Sequence, residues 1–174
     1  MAQIATALTS HSTLTSLYFQ NSNMDDQGAI QLSKILPSNN SLTALNLTSN
    51  NIGPDGITQI VSALLLNSTL TSLNLTYNKL GADGAMQIGR LLSLNSTLTM
   101  LSLHYNNIGD EGATYILNAF SFNSALISLH LGLNNVSDPI AAQITALVSR
   151  NQRNSILKST SLFEFLLRHP AVRD

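Results

Sequence analysis

The chain has 174 residues, 44% of them hydrophobic and only 10% charged, with eight Lys/Arg against nine Asp/Glu for a formal net charge of −1. That balance offers no clustered basic surface for nucleic acid or an anionic membrane, and the absence of cysteine excludes disulfides and thiolate metal sites. The length fits one domain with a sizeable core, whose polar exterior must be built from Ser, Thr and Asn.

The N-terminal stretch "MAQIATALTS" lacks the basic and long apolar regions of a secretory signal, and no apolar run reaches the length of a membrane span. A cytoplasmic protein is expected. Residues 1–13 match the back half of a repeat, with Ile4 and Leu8 at helix-core positions and His11 where later units carry Asn, so they are expected to form an N-terminal half-repeat or cap.

From Leu14 the chain divides into five units of 28 residues, starting at Leu14, Leu42, Leu70, Leu98 and Leu126 and ending at residue 153. Within each unit the apolar period changes. Positions 4 and 6 alternate as a short half-buried strand requires: Leu17/Phe19, Leu45/Leu47, Leu73/Leu75, Leu101/Leu103 and Leu129/Leu131. Positions 16, 19, 22 and 23 then follow helical spacing, as in Ile60, Ala63 and Leu64 or Ile88, Leu91 and Leu92. A strand–helix unit of this size buries its apolar faces only by stacking on copies of itself, giving a parallel sheet on one wall and helices on the other.

Four further columns repeat. Gly28, Gly56, Gly84 and Gly112 share position 15, where a missing Cβ lets turn and helix pack closely. Asp26, Asp55, Asp83, Glu111 and Asp138 sit beside the predicted helix starts and are expected to act as N-caps and to interact favourably with the helix dipole. Asn50, Asn78, Asn106 and Asn134 leave the strands at position 9 and are expected to bond backbone groups of their own and adjacent turns. A second Asn column, at Asn39, Asn67, Asn95, Asn123 and Asn151, falls where each helix should stop, so its members are expected in the left-handed conformation of a C-cap. Its "NSTL" copies spell Asn-x-Ser/Thr, but composition alone generates such matches, and the motif reads as a joint between helix and strand.

After Asn151 the pattern breaks, because Asn154 stands where a sixth unit would place Leu. Residues 154–174 carry Ile156, Leu157, Leu162, Phe163, Phe165 and Leu166 and are expected to form a helical cap over the end of the core, closed by Pro170. A partner-binding amphipathic helix is the alternative.

The pattern LxxLxLxxNxIGxxGxxxIxxxLxxN, held over about residues 4–154, resembles leucine-rich repeats of the ribonuclease-inhibitor type. That class includes ribonuclease inhibitor, the GTPase-activating protein of Ran and the repeat domains of NOD-like receptors. The resemblance implies an α/β solenoid, a curved horseshoe segment with strands on the concave face and helices on the convex face. The Ser/Thr/Asn-rich style also resembles repeat effectors of intracellular bacteria such as Legionella, which would place the chain inside a host cell with a host protein as partner.

On such a solenoid the concave face is set by strand positions 3, 5 and 7, with position 8 at the rim. This face carries no formal charge and changes from Ser, Thr and Asn in early units to aromatic and imidazole groups in later ones. Tyr77, His104, Tyr105, His130 and Leu133, with Tyr18 on the first strand, are the candidate binding residues, since exposed aromatic clusters favour protein contacts. His104 and His130 lack a third ligand, so no metal site or cofactor is expected. Neither a nucleophile–base pair nor a phosphate loop is present. The expected function is a non-enzymatic protein-interaction module, monomeric, with a self-assembling or GTPase-activator-like repeat protein as alternatives.

Overall fold

The computed structural model describes the backbone of residues 13–168 and the side chains of residues 13–161. The expected N-terminal half-repeat (Ile4, Leu8, His11), the side chains of Leu162, Phe163, Phe165 and Leu166, and Pro170 lie outside the described residues.

The repeat period sets the sheet directly. Strands β1 (Ser16–Tyr18), β2 (Ala44–Asn46), β3 (Ser72–Asn74), β4 (Met100–Ser102) and β5 (Ser128–His130) lie side by side in chain order, all parallel. Each residue pairs with the one 28 further on, so Leu17, Leu45, Leu73, Leu101 and Leu129 form one row. Between strands run α1 (Asp26–Ser33), α2 (Pro54–Leu64), α3 (Gly81–Leu94) and α4 (Gly109–Ala119), and α5 (Asp138–Arg168) follows β5. This is a leucine-rich repeat solenoid, with the sheet on one face and the helices on the other.

The core lies between those walls. Leu45, Leu47, Leu73, Leu75, Leu101 and Leu103 meet Ile60, Ile88 and Ile116, all fully buried, and each contributes about 1.5–3 kcal/mol relative to exposure. Leu17 and Phe19 at one end and Leu129 and Leu131 at the other are only partly buried. Close helix packing needs glycine at Gly112: a Cβ there would come within 2.7 Å of Ile108 Cγ2 and 2.8 Å of Ala85 Cβ.

The position-9 asparagines form a buried spine. Asn78 Nδ2 donates to Leu47 O and Leu75 O, and its Oδ1 accepts from Ile52 N–H. Asn106 Nδ2 donates to Leu75 O and Leu103 O, and Asn134 Nδ2 to Leu103 O and Leu131 O. Each shared carbonyl thus serves two successive repeats, which satisfies backbone groups that short strands leave unpaired. The spine has one gap, since Asn106 Oδ1 is buried without a partner.

Three expectations need correction. The second Asn column is not left-handed: Asn39 has φ −85°, ψ 120° and Asn95 φ −97°, ψ 130°. These residues hold the joint by their side chains instead. Asn67 Oδ1 accepts from Thr69 N–H and Leu70 N–H, while its Nδ2 donates to Leu36 O and Asn39 O of the preceding repeat.

Nor do Asp26, Asp55, Asp83 and Glu111 cap their own helices, although each lies in its helix's first turn, where the dipole favours a negative charge. Asp25 alone does so among the described helices with assigned caps, accepting from Gly28 N–H. Asp26 reaches forward to Gly53 N–H and Gly56 N–H, and Asp110 to Ser137 N–H, so these two tie their turns to the next repeat.

The third correction concerns the C-terminal end. No separate helix starts near residue 154; α5 runs unbroken from the fifth repeat through Arg168. With no Leu to open a strand, the helix has no joint to form. Asn151 stays helical, and its Nδ2 still bonds Asn123 O and Leu126 O. The core is covered by Ile144 and Val148, whereas Ile156 and Leu157 are 63% and 66% exposed because the helix has run past the sheet. Gln152 Nε2 donates to Ile127 O, closing part of the outer edge of β5. Beside it an open cavity of about 450 Å³ remains, lined by Leu129, Leu131, Val136, Ile144 and Val148.

Candidate functional site

The rim where strands turn toward helices has unusual backbone. Asn21, Ser49, Tyr77, Tyr105 and Leu133, all at position 8, share φ between 52° and 60°. Asparagine occupies this left-handed region at modest cost, but a bulky side chain does so with strain on the order of 1–2 kcal/mol. The rim therefore holds two tyrosines and a leucine where local preference favours Asn or Gly.

The two tyrosines meet. Their rings stack at 4.0 Å between centroids with an interplanar angle of 11°, and they are 49% and 41% exposed. Interaction with the Tyr105 phenol stacked beside it is the main reason Tyr77 holds its proton above the ordinary tyrosine range, with burial and the charge of an ionised Tyr105 acting the same way. Tyr105→Phe is expected to return Tyr77 toward the ordinary value, as read by ultraviolet titration of the phenolate. An unshifted titration would show that the two phenols do not interact.

One strand inward, His104 and His130 lie with ring centroids 5.5 Å apart, tilted by 32°. His104 Nδ1 stands 3.2 Å from Gly132 O. A carbonyl only accepts, so Nδ1 is the donor in this contact. Gly132 makes this possible, since a Cβ there would lie 2.8 Å from His104 Nδ1. Ser102 Oγ is 3.2 Å from His130 Nδ1 and steadies the second ring. Among the described residues no three His, Asp or Glu side chains gather as a metal would need.

The fold thus brings together Tyr77 with Tyr105, and His104 with His130. Leu133 follows Tyr105 along the rim and is 65% exposed. Tyr18, equally exposed at 65%, lies on β1, two strands before the one that leads to Tyr77, and does not join the cluster. The patch is uncharged and partly aromatic. Sequence reasoning missed the supporting parts played by Gly132 and Ser102. For Gly132 a signal existed, as it is the one residue without a side chain in a column otherwise holding Gln20, Thr48, Thr76 and His104.

Comparisons with known proteins bear on the fold and the family. Residues 1–111 match the model of the TMOD/LMOD leucine-rich domain. Among solved structures, the fold resembles that of leiomodin-1 actin-binding site 2, with a TM-score of 0.85 and 22% identity over 93% of this chain and 95% of that one. It also resembles the tropomodulin C-terminal domain of Caenorhabditis elegans, with a TM-score of 0.80 and 12% identity over 92% of this chain and 98% of that one. A search of curated proteins finds no match.

Proposed function

Because the chain belongs to the family of TMOD/LMOD leucine-rich domains, we propose that it is a non-enzymatic module that binds actin, the partner for which the similar leiomodin-1 site is named. The contact assigned in this reading is the rim and late concave face: Tyr77, Tyr105 and Leu133, backed by His104 and His130. The observation that carries it is the stacked tyrosine pair held exposed in a left-handed backbone. Strain kept at a surface position that presents a half-exposed aromatic pair favours a role in recognition.

An uncharged aromatic patch predicts binding with weak salt dependence, since few ion pairs would form. The test is direct: titrate the purified chain with monomeric actin by fluorescence anisotropy, and sediment it with actin filaments. Saturable binding to either form is expected, and failure to bind both would overturn the proposal. Actin as partner would put the working site in the cytoplasm. Among the described residues no helix is long and apolar enough to cross a membrane.

A role in a host cell, to which the Ser/Thr/Asn-rich style pointed, has no counterpart in the family match or the similar folds and forms no part of this proposal. The same holds for GTPase activation. Self-association rests on a different surface.

A further inference from the structure

The largest exposed apolar side chains outside the rim do not scatter. Leu66 is 73% exposed, Leu94 67% and Phe122 78%. All three occupy position 25 of successive repeats, each one residue before a joint asparagine. Those asparagines fix their register, because Asn67, Asn95 and Asn123 are bonded to the helix-end carbonyls of Leu36, Leu64 and Leu92. The result is a rigid stripe along the helix-to-strand joints, the edge opposite the aromatic rim. A shallow cavity of about 150 Å³ lies between Leu94 and Phe122. Ser38 and Arg150 occupy the same position in the first and fifth repeats and bound the stripe at both ends. Arg150 is held there by bonds to Phe120 O and Asn123 O.

We propose that this stripe is a self-association surface, occupied by the same stripe of a second copy related by a two-fold axis at Leu94. The occupant follows from charge and shape. Residues 63–70, 91–98 and 119–126 carry no charged side chain, so a partner gains nothing from charge and must itself be apolar there. A net charge of −1 gives two copies little mutual repulsion. The two-fold arrangement runs the stripes antiparallel, setting Leu66 of one copy against Phe122 of the other, as an isologous contact requires. It also places Arg150 beside Ser38, whereas a parallel arrangement would oppose two Arg150 side chains. An apolar patch of this kind offers on the order of 300–600 Å² per copy, less than the roughly 800 Å² per partner of a standard stable interface. The dimer is therefore reversible and concentration-dependent.

The chain has no cysteine, which makes a clean test possible. Leu94→Cys, at the axis, is expected to form a covalent dimer under mild oxidation, while Met86→Cys on the helical face stays monomeric. The wild type should also gain mass with concentration in sedimentation velocity. Leu66→Ser/Leu94→Ser/Phe122→Ser should not, and it should remain folded because Ser38 already fills this position. The proposal is overturned if Leu94→Cys crosslinks no faster than Met86→Cys, or if the wild type keeps a monomer mass throughout. It is equally overturned if the monomeric wild type binds phosphatidylcholine vesicles and the triple variant does not, which would make the occupant a lipid surface. No actin enters these measurements, so their failure leaves the actin reading untouched.

Discussion

Replacing Asn78 by alanine is expected to destabilise the protein by about 3 kcal/mol, and replacing Asn106 by about 1 kcal/mol, although Asn106 is the more deeply buried. The difference follows from which groups lose their partner. Asn78 Oδ1 is the acceptor for Ile52 N–H, so its removal orphans a buried donor at a cost of about 1–3 kcal/mol. Its amide also bonds Leu47 O and Leu75 O, but these keep a second donor in Asn50 and Asn106. Asn106 loses only such shared bonds, because Leu75 O and Leu103 O retain Asn78 and Asn134, His104 O retains Tyr77 N–H, and its own Oδ1 has no partner to lose. Thermal unfolding should read a fall of roughly 6–12 °C for Asn78→Ala and roughly 2–4 °C for Asn106→Ala, given about 2–4 °C per kcal/mol at this chain length. Equal losses would show that the spine's order does not rest on the acceptor bond.

That spine was legible in the sequence as a column of asparagines, and so were the strands and the row of leucines, because a 28-residue period repeats the same burial problem five times. What escaped was anything the period does not fix. Asn39 and Asn95 stand at helix ends, where a left-handed cap is the usual solution, yet their side chains tie the joint from extended backbone. The sequence at Asn154 shows that no sixth strand begins, but not that the helix carries on, since helix continuation there depends on the missing joint. Asp26 read as a local cap because spacing along the chain does not reveal that the next repeat's turn lies closer.

The candidate surfaces divide in the same way. Strand alternation identified the concave face and put Tyr77 and Tyr105 at one rim position, but neither residue type announces positive φ, so the strain was invisible. Leu66, Leu94 and Phe122 were hidden for the opposite reason. In "ALLLNSTL" the exposed Leu66 continues an apolar run whose other members are core, and only the joint's geometry turns it outward. The partner lies in neither pattern. Columns that build a solenoid are shared by repeat proteins of many functions, so the proposal of actin draws on the name of a structure with a similar fold and not on either pattern.

Those strained tyrosines give the prediction with the largest effect on binding. The double variant Tyr77→Asn/Tyr105→Asn is expected to weaken actin binding about thirty-fold while leaving folding stability within about 1 kcal/mol of the wild type. Two opposing terms set the second figure: losing the stacked pair costs about 0.5–1.5 kcal/mol, and relieving a bulky residue from left-handed backbone returns on the order of 1 kcal/mol at each site. Asn21 already holds that backbone at φ 52°, so asparagine is compatible with the turn. The binding figure reflects loss of an aromatic anchor worth about 2 kcal/mol, with 1.4 kcal/mol for each tenfold. Because stability stays nearly level, a loss of affinity cannot be ascribed to unfolding. If the wild type binds actin and the double variant binds equally well, actin remains the partner and the contact lies elsewhere on the solenoid.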